Sequence, residues 1–437
     1  MFVVHPRLGI RDVDSYAYIM GARSLHEGNG YRSLIGEAFN HWPPGYSLLL
    51  SVFSDSIRAA MIINYFSFGI AVGLVYYLLG QSGWSWQAAT GFSTALASGF
   101  FRLLANTAHA DILTYALFFA AICVASHSRQ SRMVPSLAWA CLIPAKLIAV
   151  VFLPPALVAD SIASRQGWKN LLRLYIPGVV ASLIAIASIL FFNYLTIRTW
   201  IPPSLGRTSL KMLNSGTRSF LFSIPREFLF NWHGSATAPF PRMAFPVVLL
   251  LAAICLFSLR PAADRKWFTV YGVSCLVTSG LLLCVRWYDP TVRLVGYGLI
   301  ILFFGFRPKR WANPVWLLYG FMSLTVAGVN AMTVNSLGCN DPRYADMAAQ
   351  VRSYYQGSKI VATNSFHLLD LHANIASVPV ADYGDAAQYE TFFWVTLPSF
   401  DPGASPVTTV AHPGQDWCEE RQLVGGILFS RCKPSGP

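Results

Sequence analysis

Arg11-Asp12-Val13-Asp14-Ser15-Tyr16-Ala17-Tyr18, followed by Ala22-Arg23, Gly28-Asn29-Gly30-Tyr31 and His41-Trp42-Pro43-Pro44-Gly45-Tyr46, is the stretch on which the reading of this chain turns. Two aspartates, a histidine, arginines and a rigid Pro-Pro turn fall in a polar segment of about 45 residues. From there to residue 334 apolar runs dominate. Ionisable groups at the rim of a hydrocarbon-rich region point to chemistry at a boundary between water and lipid.

Composition agrees. Of 437 residues, 54% are hydrophobic and 12% charged, which excludes an ordinary soluble domain. A net charge of +12 on so few charges argues against nucleic acid as a partner and for membrane lipids or a lipid phosphate. Acidic residues number 20, ten of them in residues 1–334 and ten in the last hundred or so. The predicted division is therefore a membrane domain over 1–334, with long outside loops at 1–57 and 194–243, and a soluble domain over 335–437.

Apolar stretches long enough to be membrane helices are read at Arg58–Leu79, Trp86–Phe101, Asp111–Ser126, Leu174–Phe192, Ala244–Leu259, Trp267–Val285, Leu294–Phe306 and Val315–Val334. Two shorter ones, Val134–Ile143 and Leu147–Ala159, are interrupted by Pro144, Pro154 and Pro155 and meet near Lys146. That makes about ten crossings. Basic residues mark alternate loops: Arg129 and Arg132; Arg165, Lys169 and Arg173; Arg260, Arg265 and Lys266; Arg307, Lys309 and Arg310. The positive-inside rule puts these four on the cytoplasmic side. Residues 1–57, 102–110, the turn at Lys146, 194–243, 286–293 and the C-terminal domain then lie outside. Loop 194–243 is the exception to the charge rule, with Arg198, Arg207, Lys211, Arg218, Arg226 and Arg242 against Glu227. It reads either as a solvated loop or as a basic floor for a lipid phosphate or an anionic acceptor, and Arg and Lys give phosphate oxygens charge-assisted hydrogen bonds.

The spacing of the opening motifs resembles the first extracytoplasmic loop of the GT-C superfamily of polyprenyl-phosphate-sugar glycosyltransferases. Protein mannosyltransferases and the lipid A aminoarabinose transferase belong to it. That loop runs Asp, Tyr, Ala-Arg, Gly-x-Gly-Tyr and then Pro-Pro before an apolar helix. In the family a membrane helix precedes it. Here only Met1–Ile10 stand before Arg11, so a reading frame beginning upstream is expected.

The resemblance implies an inverting glycosyltransferase of a bacterial inner membrane, with its active site and C-terminal domain on the periplasmic side. Its donor would be a polyprenyl-phosphate-linked sugar and its acceptor a lipid, glycan or protein. Asp14 matches the family's catalytic aspartate, with Asp12 as runner-up and a helix-capping role as the plain alternative. Asp12-x-Asp14 could hold a divalent cation, although relatives with such donors often need none, and no cofactor is expected. Asp111 matches the family's second acid, or caps its helix. Donor-phosphate roles fall to Lys146, Arg293 and His41, with Arg207 and Lys211 in the basic loop. The plain reading of Lys146 is a snorkelling lysine, and that of Arg293 is an Asp289–Arg293 pair that only stabilises its helix start. Trp42 between His41 and the prolines departs from the family pattern.

The C-terminal segment reads as a small α/β domain. A helix is predicted over Pro342–Tyr355, with a short one at Phe366–Leu371. Strands are predicted at Lys359–Thr363, Ser377–Val380, Thr391–Leu397, Val407–Val410 and Gly426–Ser430. Cys418 and Cys432 flank a hairpin over Glu419–Arg431 and come within disulfide reach if its strands pair, with Cys339 left over. No cysteine or histidine spacing suggests a metal cage. A transporter would show ionisable groups in mid-membrane and an internal repeat, and neither is apparent. The alternative function is a non-catalytic assembly protein or a lipid or polysaccharide transporter of a cell-envelope pathway. The assembly protein would tolerate Asp14→Asn.

Overall fold

The computed structural model describes residues 13–36, 38–39, 43–105, 108–127, 133–163, 167–200, 239–284, 288–334, 342–355, 360–363, 369, 374–379, 389–395, 417–423 and 426–432. The chain forms two compact units. Met1–His5, Asn40–Tyr46 and Arg58–Thr333 make the first, and Pro6–Phe39, Ser47–Ile57 and Val334–Pro437 the second. The division follows polarity rather than chain order, grouping most of the polar N-terminal segment with the C-terminal residues.

Helices lie where the apolar stretches predict them. α1 spans Val13–His26, α2 Gly45–Ser51, α3 Ser56–Gln81, α4 Trp86–Leu96, α5 Arg102–Ala105 and α6 Asp111–His127. They are followed by α7 (Met133–Leu142), α8 (Leu153–Ala163), α9 (Trp168–Ile197), α10 (Pro239–Phe257), α11 (Lys266–Cys284), α12 (Tyr288–Phe304), α13 (Asn313–Val334) and α14 (Pro342–Tyr354). A π-turn at Ala97–Phe101 joins α4 to α5, and a 3₁₀ turn at Leu147–Phe152 precedes α8. Among the described residues, Ser56–Gln81, Lys169–Ile197 and Arg310–Val329 are long and apolar enough to cross a membrane. α9 shows the expected surface. Ile176, Leu183 and Ile184 are each more than half exposed, as side chains facing lipid rather than water should be.

Within the first unit the core is a stack of aromatic rings. Tyr115 and Tyr297 lie parallel with centroids 3.9 Å apart, and Phe118 contacts Phe152 at 4.5 Å and Tyr297 at 4.6 Å. In lipid no hydrophobic force drives helices together, so close packing of small residues must do so. Gly91 of α4 meets Gly320 of α13 in this way, where a Cβ on Gly320 would stand 2.5 Å from the Gly91 carbonyl oxygen.

Three turns that alternation places on one side meet in the structure. Strands β1 (Leu259–Pro261) and β2 (Phe306–Pro308) pair antiparallel with Arg260 opposite Arg307. Trp84 Nε1 donates to the Phe306 carbonyl at 2.7 Å, and Arg307 Nε to that of Ser82 at 2.6 Å. Arg307 also binds Asp264 Oδ2 at 2.6 Å. The two paired turns share the pattern Phe-x-x-Arg-Pro, at Phe257–Pro261 and Phe304–Pro308. This local repeat is too short to show against the apolar background.

Which side that is can be measured. Alkaline phosphatase fused after Pro437 is expected to be active, and fusions after Arg132 or Arg310 inactive. An inactive fusion at Pro437 in a stable chain would reverse the orientation.

The second unit carries a mixed sheet of order β4-β3-β5-β7-β6, built from β3 (Val361–Thr363), β4 (Ser377–Pro379), β5 (Thr391–Val395), β6 (Trp417–Leu423) and β7 (Gly426–Arg431). β3 runs parallel to β4 and β5, whereas β7 is antiparallel to β5 and β6. Alternation along β5 sends Phe393 to a core with Met347 and Val351 of α14, and Phe392 to the other face against Trp417. The β6–β7 hairpin brings Cys418 and Cys432 to a Cα separation of 5.1 Å, and they are disulfide-bonded. Cys339, the predicted helix at Phe366–Leu371 apart from Leu369, and the predicted strand at Val407–Val410 lie outside the described residues.

Candidate active site

The first unit gathers three of its rare polar groups at one point. Asp111 opens α6, where the helix dipole and unsatisfied amides favour a carboxylate. Lys146 follows α7 in extended conformation, φ −151° and ψ 117°, and its backbone N–H donates to the Leu142 carbonyl at 2.9 Å. Its Nζ lies 3.2 Å from Asp111 Oδ2. His109 brings Nδ1 to 3.3 Å from the same oxygen. Asp111 is 1% exposed, Lys146 8% and His109 9%. Asp111 therefore stands in the first turn of α6 as the partner of both Lys146 and His109, and Lys146 is buried in that pair.

The Pro43-Pro44-Gly45-Tyr46 motif packs on this cluster. The Gly45 amide donates to the Pro144 carbonyl at 2.8 Å. A Cβ on Gly45 would come within 2.5 Å of that oxygen, so only glycine lets α2 start against the turn that carries Lys146. Tyr46 is fully buried and donates to Asn64 Oδ1 of α3 at 2.8 Å. Burial raises its pKa well above the usual phenol range, the Asn64 bond opposes this, and the nearby Asp111 charge adds to it. Tyr46 thus acts as a neutral donor. Neither Gly45 nor Tyr46 was singled out from sequence, although Asn64 was a usable signal as an amide inside an apolar helix.

The other predicted residues are placed less fully. Asp14 occupies the second position of α1, in the second unit, and Arg293 lies within α12, in the first. Their side chains are outside the described residues, as are Asp12, His41, Arg207 and Lys211. Among the described residues no group of three or more His, Cys, Asp or Glu side chains is placed to hold a metal ion.

Such a cluster can do two things chemically. An ammonium group has three donors and can be shared between Asp111 and an incoming anion. Asp111, paired with that cation, is better suited to positioning it than to taking a proton.

No family model matches the chain, and no curated protein matches it. Among solved structures it is similar to ArnT from Cupriavidus metallidurans bound to undecaprenyl phosphate. The two are 12% identical, with a TM-score of 0.50 over 100% of this chain and 97% of that one. The apo state of ArnT aligns at 13% identity over 97% of this chain and 94% of that one, with a TM-score of 0.49. The likeness is one of fold, and the chain has the fold expected from its first loop.

Proposed function

We propose that this chain is a membrane glycosyltransferase that moves a sugar from a polyprenyl-phosphate donor to an extracytoplasmic acceptor. The observation that carries the reading is the buried Lys146–Asp111–His109 cluster where an apolar helix bundle ends. A polyprenyl phosphate needs apolar surface for its chain and a fixed cation for its phosphate, and the first unit offers both. The structure it resembles is of a protein bound to undecaprenyl phosphate.

In this reading Asp14 is the general base. Its carboxylate takes the proton of the acceptor hydroxyl as that oxygen attacks the anomeric carbon. The carbon–oxygen bond to phosphate breaks, and polyprenyl phosphate leaves with the electron pair. A single displacement of this kind inverts the anomeric centre. Lys146, with Arg293 as second donor, stabilises the charge that grows on the leaving phosphate. Asp111 holds Lys146 in place. His41, Arg207 and Lys211 would add to the phosphate site, and Asp12 assists Asp14.

Binding of undecaprenyl phosphate to the full chain in nanodiscs tests the phosphate site directly. Lys146→Met is expected to weaken it by about tenfold or more, the worth of one charged hydrogen bond. Equal binding by both proteins would remove Lys146 from the donor site.

A further inference from the structure

The second unit holds a cavity of about 320 Å³ that the proposed transfer step leaves unused. Its size is at the lower end of the roughly 300–1,000 Å³ typical of small-molecule sites. Arg23 and His26 come from the last turn of α1 and Arg352 from the last turn of α14, with Glu27, Phe53, Ser54 and Asn374 completing the wall. Such sites are ordinarily lined by apolar groups with a few polar ones, and here the proportion is reversed.

Basic residues in a last turn complement the helix dipole, which accounts for an arginine on either helix. It does not account for two guanidinium groups from separate helices facing one space beside a carboxylate and an imidazole. Charge decides what the space fits. Burial lowers the pKa of Arg23, and the carboxylates of Asp55 and Glu27 oppose that shift. Two arginines against these two acids, next to two helix C-termini, leave no excess of positive charge for a phosphate.

The lining instead mixes donors with acceptors, as a ring of hydroxyls requires, since each hydroxyl both donates and accepts. Glu27 Oε2 is held by the Asn29 amide at 3.2 Å. His26 Nδ1 lies 2.8 Å from the Ser51 carbonyl, which only accepts, so Nδ1 carries the hydrogen, and in that neutral tautomer Nε2 is an acceptor. Asn374 sits at φ +54°, in the left-handed region that asparagine tolerates better than most residues. Phe53, 48% exposed, supplies a flat apolar face.

We propose that this cavity binds a saccharide ring of a glycan acceptor, away from the reacting centre. Arg23 follows Asp14 by nine positions in α1, about 13 Å along a helix axis. The cavity therefore holds a ring other than the one whose hydroxyl Asp14 deprotonates. The word acceptor rests on the glycosyl-transfer reading, whereas the ligand class rests on the lining alone. Contact with a remote part of a substrate that is equal in ground and transition states lowers KM without raising kcat.

The test is retention of the full chain, in nanodiscs, on an array of linear tri- to pentasaccharides of glucose, mannose, galactose, N-acetylglucosamine and heptose. At least one series should be retained. Arg352→Ala and Phe53→Ala, both at exposed positions, should each weaken it by about tenfold or more. In a transfer assay both should raise KM and leave kcat within about twofold.

No retained saccharide, or retention that neither variant changes, would overturn the site. Displacement of the glycan by millimolar inorganic phosphate would overturn the saccharide assignment in favour of an anion site. Donor-dependent transfer by a protein that retains no glycan would sink this inference alone. Glycan retention lost in the variants, in a protein that never transfers sugar, would uphold the cavity and sink the transferase reading instead.

Discussion

Asp14→Asn is expected to slow sugar transfer by about 10²–10⁴-fold, the usual worth of a general base. The amide keeps the shape of the carboxylate and much of its hydrogen bonding, so the loss isolates the proton-accepting role. Asp12→Asn should cost less. If a divalent cation bridges the two, both variants should fall together and a chelator should abolish activity in the native protein. Full activity of Asp14→Asn would remove Asp14 from the mechanism and favour Asp111 as the base.

The second large effect falls on stability. Asp111→Ala leaves the Lys146 ammonium buried beside an empty site, and breaking one side of a buried pair costs about 3–5 kcal/mol. Replacing both residues with apolar ones of similar size, Asp111→Leu with Lys146→Met, should restore most of that loss, because no charge then remains to be solvated. The double variant should still fail to bind polyprenyl phosphate. Denaturant unfolding of the full chain in detergent micelles separates the two effects. An Asp111→Ala protein as stable as the native one would show that the pair is not worth what its burial implies.

The membrane helices were legible because lipid leaves a chain few options. Each backbone group must be bonded within its own helix, so long apolar runs such as 58–79 and 174–192 announce themselves. The hairpin at residues 417–431 was legible for a different reason, since two cysteines at its ends fix the register and alternation fills in the strands. Asp111 and Lys146 were each singled out, but their pairing was not. Thirty-five positions and two helices separate them, and local sequence carries no record of which turns share one end of a bundle. Gly45 was hidden similarly, because its importance lies in the backbone of Pro144, which no pattern around residue 45 reveals. The same holds for Arg23. It was quoted as half of an Ala-Arg motif, yet its neighbours in the cavity come from residues 53, 352 and 374.

The most direct measurement is turnover with a labelled donor. The full chain in nanodiscs, given a radiolabelled undecaprenyl-phosphate sugar and a membrane extract as acceptor, should move label into the acceptor fraction. It should release undecaprenyl phosphate in equal amount, with the anomeric configuration inverted. A folded chain that binds undecaprenyl phosphate but releases none from any undecaprenyl-phosphate sugar, with label remaining on the lipid, would contradict the account.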